Sequence, residues 1–141
     1  MRSAPRSGGI ERLAEVAAVE RDVLGYPRGD AELRWILENR EGYLYRRRGA
    51  AIGFAFVGRE GAGPIAAPDT ADVPALLTHV ETRAAALGVG RLNVQVPGLN
   101  AAAVHHLLGR GFRIDPWINL LMSNKAFGQF DRFIAFSPVF L

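Results

Sequence analysis

The sequence predicts one layered α/β (α+β) domain, a mixed and mostly antiparallel central sheet flanked by helices. Three observations predict it. Apolar residues recur at three- and four-residue steps over two N-terminal stretches. The period then falls to two across an aromatic and branched hairpin, and helical and extended periods interleave beyond it. The 141 residues are enough for one ordinary core and too few for two. Residues 1–9 read as a disordered tail and residues 10–141 as the domain.

The first helix runs from Ile10 to Leu24, with Ile10, Leu13, Val16, Ala17 and Val23 inward and Glu11, Arg12, Glu15 and Glu20 outward. Gly25-Tyr26-Pro27 stops it, because proline cannot continue the ladder. Asp30 is the expected N-cap of a second helix, Ala31 to Asn39, burying Leu33, Ile36 and Leu37. Residues 42–46 and 51–57 are strands joined at Arg47-Arg48-Gly49. Gly63 to Ala67 is a short strand leading through Pro68-Asp69-Thr70 into a helix from Ala71 to Leu87. Leu76, Leu77, Val80, Ala84 and Leu87 form its buried stripe and Gly88 its stop. Arg91 to Val96 alternates as a half-buried strand, and Asn100 caps a helix to Leu108 that Gly109-Arg110-Gly111 closes. Phe112 to Met122 is an expected strand kinked at Pro116, and Arg132 to Phe136 an expected last strand. No strand is recognisable before Ile10.

Composition narrows the function. With no cysteine, disulfides and thiolate metal sites are excluded, and three histidines without paired spacing predict no metal site. No apolar run reaches the roughly 18 residues of a membrane span. Residues 1–9 lack the apolar stretch of a signal peptide, so a cytoplasmic protein is expected. The formal charge is only +3, and Arg46-Arg47-Arg48 reads as a solvated hairpin end. No basic stripe with interleaved aromatics marks a nucleic-acid partner.

The pattern Asn100-x-x-Ala103-x-x-x-Leu107-x-x-x-Gly111-Phe112 resembles the closing motif of the GNAT N-acetyltransferases. Its physics is plain: Asn100 caps, Ala103 and Leu107 share a buried face, and Gly111 permits a left-handed exit. A narrower likeness covers residues 19–122. Val23 to Arg28, Ile52-Gly53-Phe54, Gly63 to Ala67, Ala75-Leu76-Leu77 and Val94 to Pro97 resemble the C-terminal half of bacterial two-half acetyltransferase proteins. The likeness implies a GNAT fold with its first strand missing, and transfer of an acetyl group from acetyl-CoA to a small-molecule or protein amine.

In that family acetyl-CoA lies against the fourth and fifth strands, which splay apart. The likeness therefore assigns cofactor binding to Ile65, Ala66, Ala67 and Asn100. A Gly-rich turn at the start of the following helix normally grips the diphosphate with bare N–H groups. Here that turn is Pro68-Asp69-Thr70-Ala71-Asp72-Val73-Pro74, with no glycine and two carboxylates. Two unit charges about 5 Å apart at an effective dielectric near 20 repel by roughly 3 kcal/mol. The standard grip is expected to be lost.

Relatives place a general-acid tyrosine where this chain has Leu107, which leaves His106, beside His105, as the candidate acid. Both histidines, and His79, also read as exposed helix positions. Glu41 and Glu60 near strand ends are candidate bases. Tyr43, Tyr45, Phe54, Phe56 and Trp117 either line the acceptor groove or form the hairpin core. Phe127, Phe130, Phe133, Phe136 and Phe140 need a surface, their own sheet or a neighbour's, so a homodimer through an exposed edge is one expectation. A partner GNAT domain is another. The alternative to an enzyme is a GNAT-fold module that does not catalyse and instead binds a ligand or supports a catalytic partner.

Overall fold

The computed structural model describes residues 2–3, 10–138 and 140–141. Its sheet follows chain order: β1 (Arg2–Ser3), β2 (Glu41–Arg47), β3 (Ala50–Gly58), β4 (Gly61–Ala66) and β5 (Phe133–Ile134). Every neighbouring pair is antiparallel. The β2–β3 hairpin forms as expected, its register running from Glu41↔Val57 to Arg47↔Ala50. Arg48 (φ 51°) and Gly49 (φ 81°) make the turn, two successive left-handed residues whose twist suits a two-residue hairpin. The expectation of no strand before Ile10 needs correction, since Arg2 and Ser3 pair with Arg46 and Tyr45. The rest of the expected tail lies outside the described residues.

Helices cover both faces. On one side α1 (Ile10–Leu24) and α2 (Asp30–Asn39) bury Leu13, Val16, Val19, Leu33 and Ile36 against Leu44, Phe54 and Phe56. On the other, α3 (Val73–Ala86) and α4 (Ala101–Gly109) bury Leu76, Leu77, Val80, Ala103 and Leu107 against Tyr43, Tyr45, Ala55 and Ile65. Successive strand residues point to opposite faces, so a sheet covered twice needs apolar residues at both parities. That is why β3 is an almost unbroken apolar run.

Helix ends follow the sequence in part. Asn100 caps α4, its side chain accepting from the Ala103 N–H at 3.1 Å. Gly88 (φ 76°) and Gly111 (φ 93°) give α3 and α4 the same left-handed exit. In each, the glycine N–H and the next N–H turn back to helix carbonyls: Gly88 to Ala85 and Val89 to Ala84, Gly111 to Leu108 and Phe112 to Leu107. Asp30 is not a cap. Gly29 holds that position in extended backbone, and Asp30 stands in the first turn beside Glu32, facing the positive helix end. Leu37 is exposed, not inward. Ala71 and Asp72 belong to a short 3-10 turn (Thr70–Asp72), so α3 starts later than its apolar stripe suggests.

Two expected strands do not form as such. Residues 91–96 form no strand and pair with the sheet only through single bridges, Val94 to Ala62 and Gln95 to Ala135. Residues 112–122 join no sheet. The last expected strand does form, shorter, at Phe133–Ile134 with a bridge at Ala135.

Candidate functional site

The sheet opens into a wedge between β4 and the segment 91–96. The two start together, with the Ala62 N–H donating to the Asn93 carbonyl at 3.1 Å, and then part. The chain's own C-terminal segment fills the gap. Ile134 pairs with Ile65 and Phe133 with Ala66. The Ala67 N–H donates to Arg132 O at 3.1 Å, and the Ala135 N–H to Gln95 O at 3.1 Å. Asn100 is used twice: besides capping α4, its Nδ2 donates to Phe133 O at 3.1 Å. All four residues assigned to cofactor binding, Ile65, Ala66, Ala67 and Asn100, thus meet at one place, where Ile65 and Ala66 lie in register with Ile134 and Phe133, and Ala67 and Asn100 hydrogen-bond to Arg132 and Phe133.

The segment is tightly held. Arg132 Nη1 donates to Pro68 O at 2.6 Å. Arg40, itself buried, donates to Gly63 O and stacks over the Phe136 ring with its guanidinium carbon 3.8 Å from the centroid. Gly63 (φ 122°) leaves the room this needs, because a Cβ there would stand 2.2 Å from Ala135 O. Further on, Arg28 donates to Leu141 O and forms a buried ion pair with Glu20 at 2.8 Å. Burial raises the Glu20 carboxyl pKa while Arg28 opposes the rise. The phenylalanine tail finds its surface in the same chain: Phe136 and Phe140 pack on Trp35, Phe127 on Tyr26, and Phe133 is buried.

The turn before α3 differs in its charge from the expectation. Asp69 accepts from the Ala71 N–H at 2.9 Å and so caps the 3-10 turn. Asp72 makes no side-chain cap; it is buried and paired with Arg47 Nη2 at 2.5 Å. One of the two carboxylates is therefore neutralised within the fold. The arginine run stands at a largely solvated hairpin end, as expected, and two of its side chains are paired as well, Arg47 with Asp72 and Arg46 with Glu15 at 2.5 Å.

Of the two readings of the tyrosines, groove lining or hairpin core, their burial supports the core. Tyr43 and Tyr45 face α3, where the Tyr45 hydroxyl lies 2.6 Å from His79 Nδ1. His79 is half-buried, contrary to its exposed reading, with its ring edge-on to Tyr43 at 4.7 Å. The signal was there: positions 76, 79, 80, 83 and 84 make one helical face. Arg83 donates from Nε and Nη2 to the two oxygens of Glu41, at 3.0 and 3.1 Å, and the Tyr43 hydroxyl donates to the same carboxylate. Burial lowers the His79 pKa, Arg83 adds to this and Glu41 opposes it; burial raises the pKa of Tyr45. Buried neutral tyrosine beside neutral imidazole makes the phenol the donor and Nδ1 the acceptor. Phe54 and Phe56 pack under α1 and α2, on the other face. These four rings are core, because both sheet faces are covered.

Trp117 is 87% exposed, not core. His106 lies on the α3–α4 seam, its Nε2 3.6 Å from Glu81 Oε1, and makes no hydrogen bond there. Glu41 and Glu60 come together at the Gly61 end of β4, in a cleft of about 260 Å³ with Asn39, Val57, Arg59 and Leu87. Neither histidine candidate joins that cleft. Among the described residues no group of three His, Cys, Asp or Glu could hold a metal ion, and no helix is long and apolar enough to cross a membrane.

No family model matches the sequence, and no curated protein matches it. A solved structure does match the fold. The chain is similar to TTHA1254 of Thermus thermophilus, crystallised as a point mutant, with a TM-score of 0.66 and 16% identity. The match covers 89% of this chain and 99% of that one, so the mixed α/β architecture extends over nearly the whole of both.

Proposed function

We propose that this chain is a non-catalytic module of GNAT type, which binds a ligand or supports a catalytic partner and does not hold acetyl-CoA in its wedge. One observation carries the reading. The edge of β4 on which the family resemblance puts acetyl-CoA already has partners, residues 132–134, and Asn100 ties them to α4. A thioester cofactor would have to replace those bonds and expose Phe133, a fully buried ring. Displacement is opposed at four further points, by Arg132, Arg40, Arg28 and the packing on Trp35. The residues present do not fit the group. The absence of a tyrosine at Leu107, and the place of His106 on the α3–α4 seam, point the same way.

The test is calorimetry of the full chain with acetyl-CoA. No saturable heat up to millimolar concentration is expected. Saturation below millimolar would overturn the reading.

The Arg47–Asp72 pair favours a second reading, an N-acetyltransferase acting on a small-molecule or protein amine. With Asp72 compensated, the turn repels a diphosphate less than the bare sequence implies. That enzyme would need its C-terminal segment to leave the wedge. Acetyl-CoA would then accelerate amide exchange at residues 133–135, and unchanged exchange would count against it.

A further inference from the structure

Residues 113–126 are exposed without a break. Within them Ile114, Trp117, Ile118, Leu120, Leu121 and Met122 are between 54% and 87% exposed. No backbone hydrogen bond joins residues 113–122 to the other described residues. The sequence is that of a strand, and a strand is what it is not. A connection of this length with neither structure nor cover is unusual inside a small domain. An apolar run of this size on a soluble chain marks a contact surface.

The same molecule has a sheet edge that is unused among the described residues. Asn93 and Gln95 turn their carbonyls inward, to Ala62 and Ala135. In extended backbone the alternate residues face the other way, so the N–H and C=O groups of Leu92, Val94 and Val96 point outward. Those groups have no backbone partner among the described residues. Segment and edge approach each other at one point, where Arg91 lies 3.6 Å from Asp115. Pro116 follows, with no N–H to give, and from Trp117 onward the side chains stand clear.

We propose that this surface is the interface of a homodimer, in which the segment around residues 117–122 of each copy docks on the 92–96 edge of the other. Two arguments commit the surface to a second copy. Each chain carries both the exposed segment and the edge, so a two-fold pairing satisfies both sets twice and closes on itself. The area also suffices. Six large apolar side chains, each offering roughly 100–150 Å², present about 600–900 Å² per copy, a range that includes the share of each partner in an ordinary stable interface. The inference does not rest on the functional proposal above. It moves the expected dimer surface away from the phenylalanine tail, which its own chain covers.

Light scattering after gel filtration should give twice the chain mass at about 50 µM. Trp117→Ser with Leu120→Ser should weaken association by at least about a hundredfold and leave a folded monomer by circular dichroism. Because the chain has no cysteine, the register can be tested directly. Asn93→Cys chains mixed with Ile118→Cys chains of different tag length should oxidise mainly to the mixed disulfide. A wild-type monomer at that concentration would overturn the proposal. So would a dimer indifferent to the serine substitutions, or disulfides formed only between like chains.

Discussion

Tyr45 and His79 share a 2.6 Å hydrogen bond across the seam between β2 and α3, at the edge of the core that faces α3. The bond joins a phenol whose ionisation burial opposes to an imidazole whose protonation burial opposes. Each partner therefore keeps the form the bond requires: the tyrosine its proton, the histidine its lone pair.

Stability should accordingly fall on mild acidification. The folded-state pKa of His79 lies below the ordinary 6.5, because of burial first and then the Arg83 charge. A group depressed in this way contributes stability above its unfolded pKa and loses it as pH falls through the folded one. Thermal midpoints should be level above about pH 6.5 and decline below it. His79→Gln should remove the part of that decline that belongs to the imidazole. Tyr45→Phe should raise the His79 pKa, since it removes a donor to the neutral form. Histidine NMR titration of both proteins checks the direction, and a lower pKa in Tyr45→Phe would contradict the assignment of the phenol as donor.

Glu20→Ala should cost about 3–5 kcal/mol in urea denaturation. Glu20 is fully buried, so its loss leaves the Arg28 guanidinium enclosed and without its counter-charge. Arg28 also holds Leu141 O and lies 5.4 Å from the Phe140 centroid, so the loss should spread to the C-terminal residues. Their amide exchange should quicken more than that of β3. Glu20→Gln, which keeps a neutral acceptor, should cost less; an equal cost would mean that charge, not shape, is what Arg28 needs.

How much of this was legible depended on whether the governing contact was local. The ends of α3 and α4 were readable because Gly88, Gly111 and Asn100 act on their own helix within four residues. The β2–β3 hairpin was readable for the same reason. Residues 112–122 misled, because apolar and branched residues report a taste for extended backbone and say nothing of whether an edge is free. The five phenylalanines declared that something must cover them. Which surface did so was set by Arg28, Arg40 and Trp35, distant residues whose long polar arms and rings carry no period. Asp72 was placed correctly at the start of α3 and its partner missed, since Arg47 comes from the distant β2–β3 hairpin. The assigned wedge residues did converge, but on the chain's own backbone, and β5 is too short to declare itself by pattern.

Asn100 offers the sharpest separation of roles. Its Oδ1 caps α4 and its Nδ2 holds Phe133 O, so the amide is both acceptor and donor at one buried point. Asn100→Asp keeps the acceptor and loses the donor. The cap should survive, because a carboxylate at a helix N-terminus is favoured by the partial positive charge there. The other side should fail, because the carboxylate would face the Phe133 carbonyl with no hydrogen between them. Leaving that acceptor unmatched costs about 1–3 kcal/mol. The loss should appear as faster amide exchange at residues 133–135 with α4 unchanged. Asn100→Ala removes both functions and should speed exchange in α4 as well, the missing cap alone being worth about 0.5–2 kcal/mol. If the two variants gave the same exchange pattern, Asn100 would be a helix cap only, and the wedge would be held shut by Arg132, Arg40 and burial of Phe133 without it.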